Sequence, residues 1–395
     1  MKRGLVILVV SVFVDIFGVA LVIPMLPVWA RNLGATPAQQ GLLGTAYGAC
    51  QLFGAILAGR ISDTKGRKVV LLASLFLAGV SYLGTAFASS LTVLFLWRIP
   101  VGVGKQTISV ASAYVSDSTL PENRSVWLAA VGSAAALGFV VGPALGGWLG
   151  AHDARLPAIV SASLFLVNFV CVWLFLPEPA RVQVRSDSPP PSELPFVQSI
   201  VRALQTPLVG ELLVVHFLFH MAFQLIKANF SLFNQERFSF GPQENGFLLA
   251  YLGVLSLLGK AGFVPLLSAR FSDLALLSTN LLVLTVSLMA MAFSPNIVVY
   301  CLVLIPFTAS TSIVGTVVLA QLSGAATGNV GALLGVASAF ESITRILSPV
   351  ICGALMQVSS GAPPFVGALV AAGAAAYVAY KKDQLRAREA KAKSE

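Results

Sequence analysis

Residues 59–68 read GRISDTKGRK. Ten positions hold four basic residues (Arg60, Lys65, Arg67, Lys68) and one acid, Asp63, in a chain of 395 residues that is 57% hydrophobic and only 10% charged. The flanks carry no Asp, Glu, Lys or Arg at all from 41 to 58 or from 69 to 97. A soluble protein draws roughly 25% of its residues from the charged types. This chain cannot, so the flanks of the loop are read as facing lipid and the loop as a turn between two membrane-spanning helices.

Working outward, Gly4–Ala30, Val69–Ala88, Pro157–Leu176, Leu274–Phe293 and Pro363–Tyr380 approach or exceed the roughly 20 apolar residues that cross a bilayer as helix. The first run is too long for a signal peptide's apolar segment and is expected to be a retained span. The pattern predicts an all-α membrane protein of twelve transmembrane helices, near 5–30, 39–61, 69–88, 91–115, 126–150, 157–177, 208–234, 244–267, 273–293, 296–322, 330–357 and 363–380. With the N-terminus inside, the cytoplasmic segments hold 17 of the 25 basic residues and the opposite side only Arg31, Arg155 and Arg237. That bias sets both termini in the cytoplasm. The net charge of +9 is therefore topology, and no nucleic-acid partner is expected. The four cysteines lie in apolar runs and read as small packing residues.

Residues 178–206 form the longest polar, proline-rich stretch, suited to a cytoplasmic linker with a short interfacial helix near Phe196–Leu204. They divide the chain into a six-helix bundle at 1–177 and another at 207–380, followed by a basic tail at 381–395. The bundles share traces of a repeat. Arg98-Ile99-Pro100 matches Leu304-Ile305-Pro306, and Gly142-Pro143 with Gly147 matches Ser348-Pro349 with Gly353, each 206 residues apart. A constant offset argues for duplication and for two pseudo-symmetric bundles, an architecture common among secondary transporters.

The spacing Gly59-x-x-x-Asp63-x-x-Gly66-Arg67-Lys68, between spans 2 and 3 on the inner side, resembles the signature loop of the major facilitator superfamily. Three more segments resemble that family: Asp15-x-Phe17-Gly18 with Pro24-Met25-Leu26-Pro27 in span 1, Arg98-x-x-x-Gly102-x-Gly104 in span 4, and Gly138-x-x-x-Gly142-Pro143-x-x-Gly146-Gly147 in span 5. The likeness covers nearly the whole chain and is closest to the drug–proton antiporter, tetracycline-exporter-like branch with its eukaryotic members of unassigned substrate. It implies a monomeric transporter working by alternating access, with Asp63, Arg67, Lys68, Gly59 and Gly66 as a conformational latch and span 5 as the antiporter helix. The corresponding loop of the second half, Ser268–Asp273, has lost the pattern. Lys105 departs from the family's fourth-helix motif, and a cation there could hold an anionic substrate.

Charges at bilayer depth cost several kcal/mol unless paired or hydrated, which makes each a functional candidate. The basic residues inside spans are Arg98, Lys105, Lys227, Lys260 and Arg345, and the acids are Asp15 and Glu341. Asp15 stands about ten residues into span 1, roughly 15 Å from the inner face, and Lys105 a similar count from the inner end of span 4. The two are expected to pair, with Arg98 as the alternative partner of Asp15. The pair is either a static packing device or a proton-coupling site. Glu341 and Arg345, at i,i+4, are expected to neutralise each other along span 11. Lys260 is explained by snorkelling toward the inner interface. In span 7, His216, His220, Gln224, Lys227 and Ser231 form one polar stripe, with His220 a candidate proton relay. Phe17, Gln106, His216, Gln224, Lys227, Thr308 and Thr311 are the candidate substrate-cavity residues. The span 10 hydroxyls face an alternative role, bonding their own helix carbonyls. Gly138, Gly142, Gly146 and Gly147 let helices approach closely and Pro143 kinks its helix.

No Walker loop (GxxxxGK[ST]) is present, so ATP is not expected to drive the protein directly. No catalytic triad or zinc-ligand spacing stands out, and neither an enzyme activity, a metal nor a cofactor is expected. Small-molecule substrate, protons and membrane lipid are the expected partners. A uniporter, a carrier of organic anions and a non-transporting receptor on the same fold are the competing readings.

Overall fold

The structure is a computed structural model that describes residues 2–179, 196–325 and 330–381. The centre of the linker (180–195) and the tail beyond 381 lie outside the described residues.

In chain order the helices are α1 (Lys2–Val22), α2 (Leu26–Asn32), α3 (Pro37–Lys65), α4 (Arg67–Ala86), α5 (Leu91–Gly104), α6 (Thr107–Ser118), α7 (Pro121–His152), α8 (Leu156–Phe175), α9 (Phe196–Gln205), α10 (Val209–Lys227), α11 (Phe230–Phe238) and α12 (Pro242–Leu258). A π-helical turn at Gly259–Phe263 leads into α13 (Val264–Ser268), and α14 (Asp273–Phe293), α15 (Ile297–Gly324), α16 (Val330–Val358) and α17 (Ala362–Tyr380) follow. Among the described residues, eleven helical stretches are long and apolar enough to cross a membrane, and α5 with α6 makes the twelfth. The chain is an all-α membrane protein of twelve spans.

Local signals start several of these helices. Thr36 accepts a hydrogen bond from the Gln39 amide while the Gln39 side chain accepts from the Thr36 amide, a capping box ahead of Pro37. The side chains of Ser90, Ser272 and Asn296 accept from the amides of Val93, Ala275 and Val299 and cap α5, α14 and α15. A helix, α9, forms where a short helix is expected near Phe196–Leu204.

The chain divides into two compact units, Met1–Arg185 with Asn234–Gly253, and Ser186–Phe233 with Val254–Glu395. In the first, α7 lies along α1. A Cβ at Gly138 would stand 2.9 Å from the Phe17 nitrogen, one at Gly142 3.0 Å from the Phe17 carbonyl oxygen, and one at Gly146 would run into the Leu21 backbone. With lipid on the outside there is little solvent-driven force between helices, so such close backbone approach carries the packing. Leu8, Val12, Leu71, Leu75 and Phe165 are fully buried in this unit. In the second, α10 is packed among α15, α16 and α17, and α14 against α15 and α17.

The fourth span differs from the continuous helix expected over 91–115. It breaks at Lys105-Gln106, between α5 and α6. Pro100 brings no amide to the ladder, and Gly102 and Gly104 are weak helix formers. The last turn tightens, the Lys105 amide reaching Gly102 at 3.2 Å and the Gln106 amide reaching Gly104 at 2.9 Å. The tenth span, 206 residues on, also carries an interior proline, Pro306, yet runs unbroken as α15. Its Thr308, Ser310, Thr311 and Thr316 hydroxyls all donate to carbonyls of their own helix, at 2.7–3.0 Å.

Candidate functional site

In the first unit, the break in span 4 places Lys105 against Asp15 of α1. The Lys105 Nζ pairs with Asp15 Oδ2 and lies 3.4 Å from the Asp15 carbonyl. Asp15 is 1% exposed and Lys105 9%, so the ion pair is sealed from solvent and lipid alike. The Phe165 ring of α8 covers Nζ at 5.3 Å and stacks on Tyr82 of α4 at 5.4 Å between centroids. Gly18 makes room for that ring, since a Cβ there would stand 3.0 Å from it.

Arg98, the alternative partner, serves elsewhere: its guanidinium sits 5.3 Å over the Tyr47 ring. The geometry brings Asp15 to Lys105 and not to Arg98, because the break aims Lys105 at α1.

A second pair of side chains holds the break open. Gln106 Nε2 donates to the Gln51 carbonyl at 2.8 Å, and Gln51 Nε2 reaches the Lys105 carbonyl at 3.4 Å. A carbonyl freed by the interrupted ladder is thus taken up by a side chain of α3, as buried backbone requires. Gln51 was not among the sequence candidates. Its signal, an amide in an apolar run, became meaningful only once the break was known. Phe17, from the candidate cavity set, stacks on Phe13 at 5.7 Å along α1.

The 59–68 loop is tightly built. Arg67 donates from Nε to Asp117 at 2.8 Å and from Nη1 to Asp63 at 2.7 Å and Ser62 at 2.8 Å. Glu178, just after span 6, receives the Arg67 amide at 2.5 Å and the Lys68 amide at 3.1 Å, capping α4 with a full negative charge. The Lys68 Nζ donates to the Trp173 carbonyl at 2.8 Å. Gly66 stands at φ +102°, ψ 161°, a region open essentially to glycine alone, and a Cβ there would meet the Glu178 carboxylate. Gly59 has open space at its Cβ among the described residues, so no close helix approach depends on it there. Asp117 and Glu178 escaped sequence reasoning as latch members because they lie 50 and 111 residues from Arg67, beyond any local pattern.

In the second unit, Glu341 accepts from Arg345 at 2.6 Å along α16. The His216 and His220 rings of α10 lie 4.3 Å apart, and α10 packs against α16, the helix that carries Glu341. Lys227 is exposed, with Nζ 5.2 Å over the Phe223 ring. Gln224 is buried beside it. Among the described residues no cluster of three or more metal-ligating side chains forms around the histidines.

A family model described as Major Facilitator Superfamily matches residues 8–349. The tetracycline resistance protein of class D from Salmonella ordonez is 30% identical over 356 residues, covering 89% of each chain. Solute carrier family 67 member A1 of Homo sapiens is 28% identical over 353 residues, covering 86% of this chain and 83% of its own. Among solved structures, an inward-facing, unoccupied bacterial homologue of the human lysosomal transporter Spinster superposes with a TM-score of 0.76 at 15% identity, over 95% of this chain and 96% of its own. The human organic anion transporter MFSD10 (TETRAN) superposes with a TM-score of 0.67 at 20% identity, over 95% and 99%. At these identities the structural matches establish the fold.

Proposed function

The chain belongs to the Major Facilitator Superfamily, and on that premise we propose that it moves small amphipathic organic molecules across the membrane by alternating access, exchanging them for protons at the Asp15–Lys105 pair. The observation that carries this reading is the burial of that pair at a broken helix. A static ion pair could be built between two continuous helices. Here Lys105 ends α5, outside the regular hydrogen-bond ladder, and is linked through its carbonyl to α3. A turn of α6 relative to α5 draws Lys105 away from Asp15, and Asp15 then takes a proton in place of its lost counter-charge, since an unpaired carboxylate in a dry site is costly. The reverse turn expels the proton. Resistance to a drug, which the name of the Salmonella relative states, is what outward exchange would confer.

The test is proton movement in proteoliposomes that hold a trapped pH dye, challenged with tetracycline, rhodamine 6G and N-dansylglycine. The expected result is proton movement opposite to at least one of these molecules, abolished by Asp15→Asn. Accumulation of a probe without any proton signal, or proton movement that persists in Asp15→Asn, overturns the coupling role and leaves the pair structural.

A further inference from the structure

Two of the chain's 3 histidines, His216 and His220, stand four positions apart on α10. That spacing puts both side chains on one face of the helix. Their ring centroids lie 4.3 Å apart, with the planes tilted by 53°. His216 is only 4% exposed, and neither its Nδ1 nor its Nε2 has a hydrogen-bond partner among the described residues. The Nδ1 of His220 is likewise buried and without a partner there. His152, the remaining histidine, shows the ordinary solution, its Nδ1 meeting the Trp148 carbonyl of its own helix at 2.8 Å. A hydrogen-bonded packing stripe, one reading of this face of span 7, needs partners that these three nitrogens do not find. Buried polar groups are seldom left so.

Aromatic neighbours hold the pair in place. Phe219 meets the His220 ring edge-on at 5.0 Å between centroids, and a Cβ at Gly315 of α15 would stand 3.5 Å from the Phe219 ring. Phe217 crosses to Phe340 of α16 at 5.9 Å. Side chains already fixed by packing need little ordering when a ligand arrives. The chemistry of the donors then narrows that ligand. Neutral imidazole suits zinc, copper, nickel and iron ions, and two histidines at i,i+4 are how one helix face presents two ligands to zinc. Each ring can direct one nitrogen to a common point about 2.0–2.1 Å away, the usual zinc–nitrogen distance. The pair offers no oxygen, so calcium and magnesium, which take oxygen ligands, are not served.

We infer that His216 and His220 form a binding site for one divalent transition-metal ion of the copper and zinc class, each imidazole giving one nitrogen. Two protein ligands fall short of a closed structural zinc site, so the remaining positions are open to water. The inference is a statement about binding and does not depend on transport or on proton coupling at Asp15.

The test uses the full-length protein, purified through a tag that contains no histidine and placed one chain to a nanodisc of neutral phosphatidylcholine. It is titrated with Cu²⁺ and with Zn²⁺ near neutral pH, and the Cu²⁺ form is read by electron spin-echo envelope modulation, which counts the imidazoles on the ion. The expected result is one ion carrying two imidazoles, bound more tightly as Cu²⁺ than as Zn²⁺ and undisturbed by excess Mg²⁺. His216→Gln and His220→Gln should each weaken Cu²⁺ binding at least about tenfold, the loss that even a supporting residue of a metal site causes, and leave one imidazole in the spectrum. His152→Gln should change neither affinity nor spectrum. Fewer than two imidazoles in the wild type, loss of the second in His152→Gln, or full Cu²⁺ affinity in both of the other variants overturns the assignment. If His216→Gln or His220→Gln does not fold, His152→Gln decides, because two imidazoles in that variant can come only from His216 and His220.

Discussion

Asp15 and Lys105 show what a single residue must satisfy when water is excluded. Each alone would be an expensive charge, and together they are nearly neutral. Removing one partner should therefore cost more than removing both. Asp15→Asn and Lys105→Gln are each expected to lower stability by about 3–5 kcal/mol, the cost of stranding a buried charge. The double variant should recover a large part of that loss. Thermal midpoints of the four proteins in one detergent check it, and a double variant less stable than both singles would show that the two side chains do not act as a pair. The pair itself was legible from sequence, because two opposite charges at matched depth in otherwise apolar spans have few other solutions. The role of Arg98 was not. Its cation–π contact with Tyr47 depends on which face of α3 meets α5, and no spacing within one helix reports that.

At the scale of the element, the informative failures are at helix ends. Twelve spans followed from length and hydropathy, yet the division of the fourth into α5 and α6 did not, although Pro100, Gly102 and Gly104 were all in view. The tenth span shows why: it holds a proline at the matching position and stays whole, its hydroxyls satisfying local carbonyls. What tips span 4 into a break is tertiary, the exchange of hydrogen bonds with Gln51. Gln51→Ala together with Gln106→Ala is expected to slow substrate exchange at least tenfold while leaving the protein folded, because the freed Lys105 carbonyl no longer holds α6 in register with α3. Transport by the same proteoliposome assay, with size-exclusion behaviour as the folding check, decides it; an unchanged rate would make the bridge incidental. The start of α4 is the converse, an element end whose glycine was legible and whose partner was not. Gly66→Ala forces an L side chain into a glycine-only region at about 1–3 kcal/mol, and also into the Glu178 carboxylate. Adding Glu178→Ala should relieve the clash but not the backbone strain. The double variant is therefore expected to remain less stable than Glu178→Ala alone, measured again as a thermal midpoint. Equality of those two proteins would mean that the Gly66 conformation is not strained for alanine.

For the molecule as a whole, the distribution of basic residues makes one claim that every site assignment inherits: the 59–68 loop faces the cytoplasm. Its density of charge serves two ends at that boundary. Lys65, Arg67 and Lys68 would hold the loop on the inner side by the rule that basic loops stay in the cytoplasm, and Arg67 also gathers Asp63 and Asp117 into one network. If only orientation were at stake, the positive charges would suffice and the acids would weaken them. Asp117 stands at the C-terminal end of α6, so the network ties the helix that follows the Lys105 break to the loop that opens α4. Any movement of α6 that frees Asp15 must strain or reform Arg67–Asp117, which makes the loop a candidate brake on the coupling step. Orientation is testable directly. The four cysteines form no disulfide, and replacing Cys50, Cys171, Cys301 and Cys352 clears the background for single labels. In intact cells a membrane-impermeant maleimide is expected to modify Asp153→Cys, in the turn between α7 and α8, and to spare Lys65→Cys until the cells are permeabilised. The opposite pattern would invert the topology. It would also place the Arg67 network at the outer end of the path, and a proton reaching Asp15 would then enter from the side now taken as its exit.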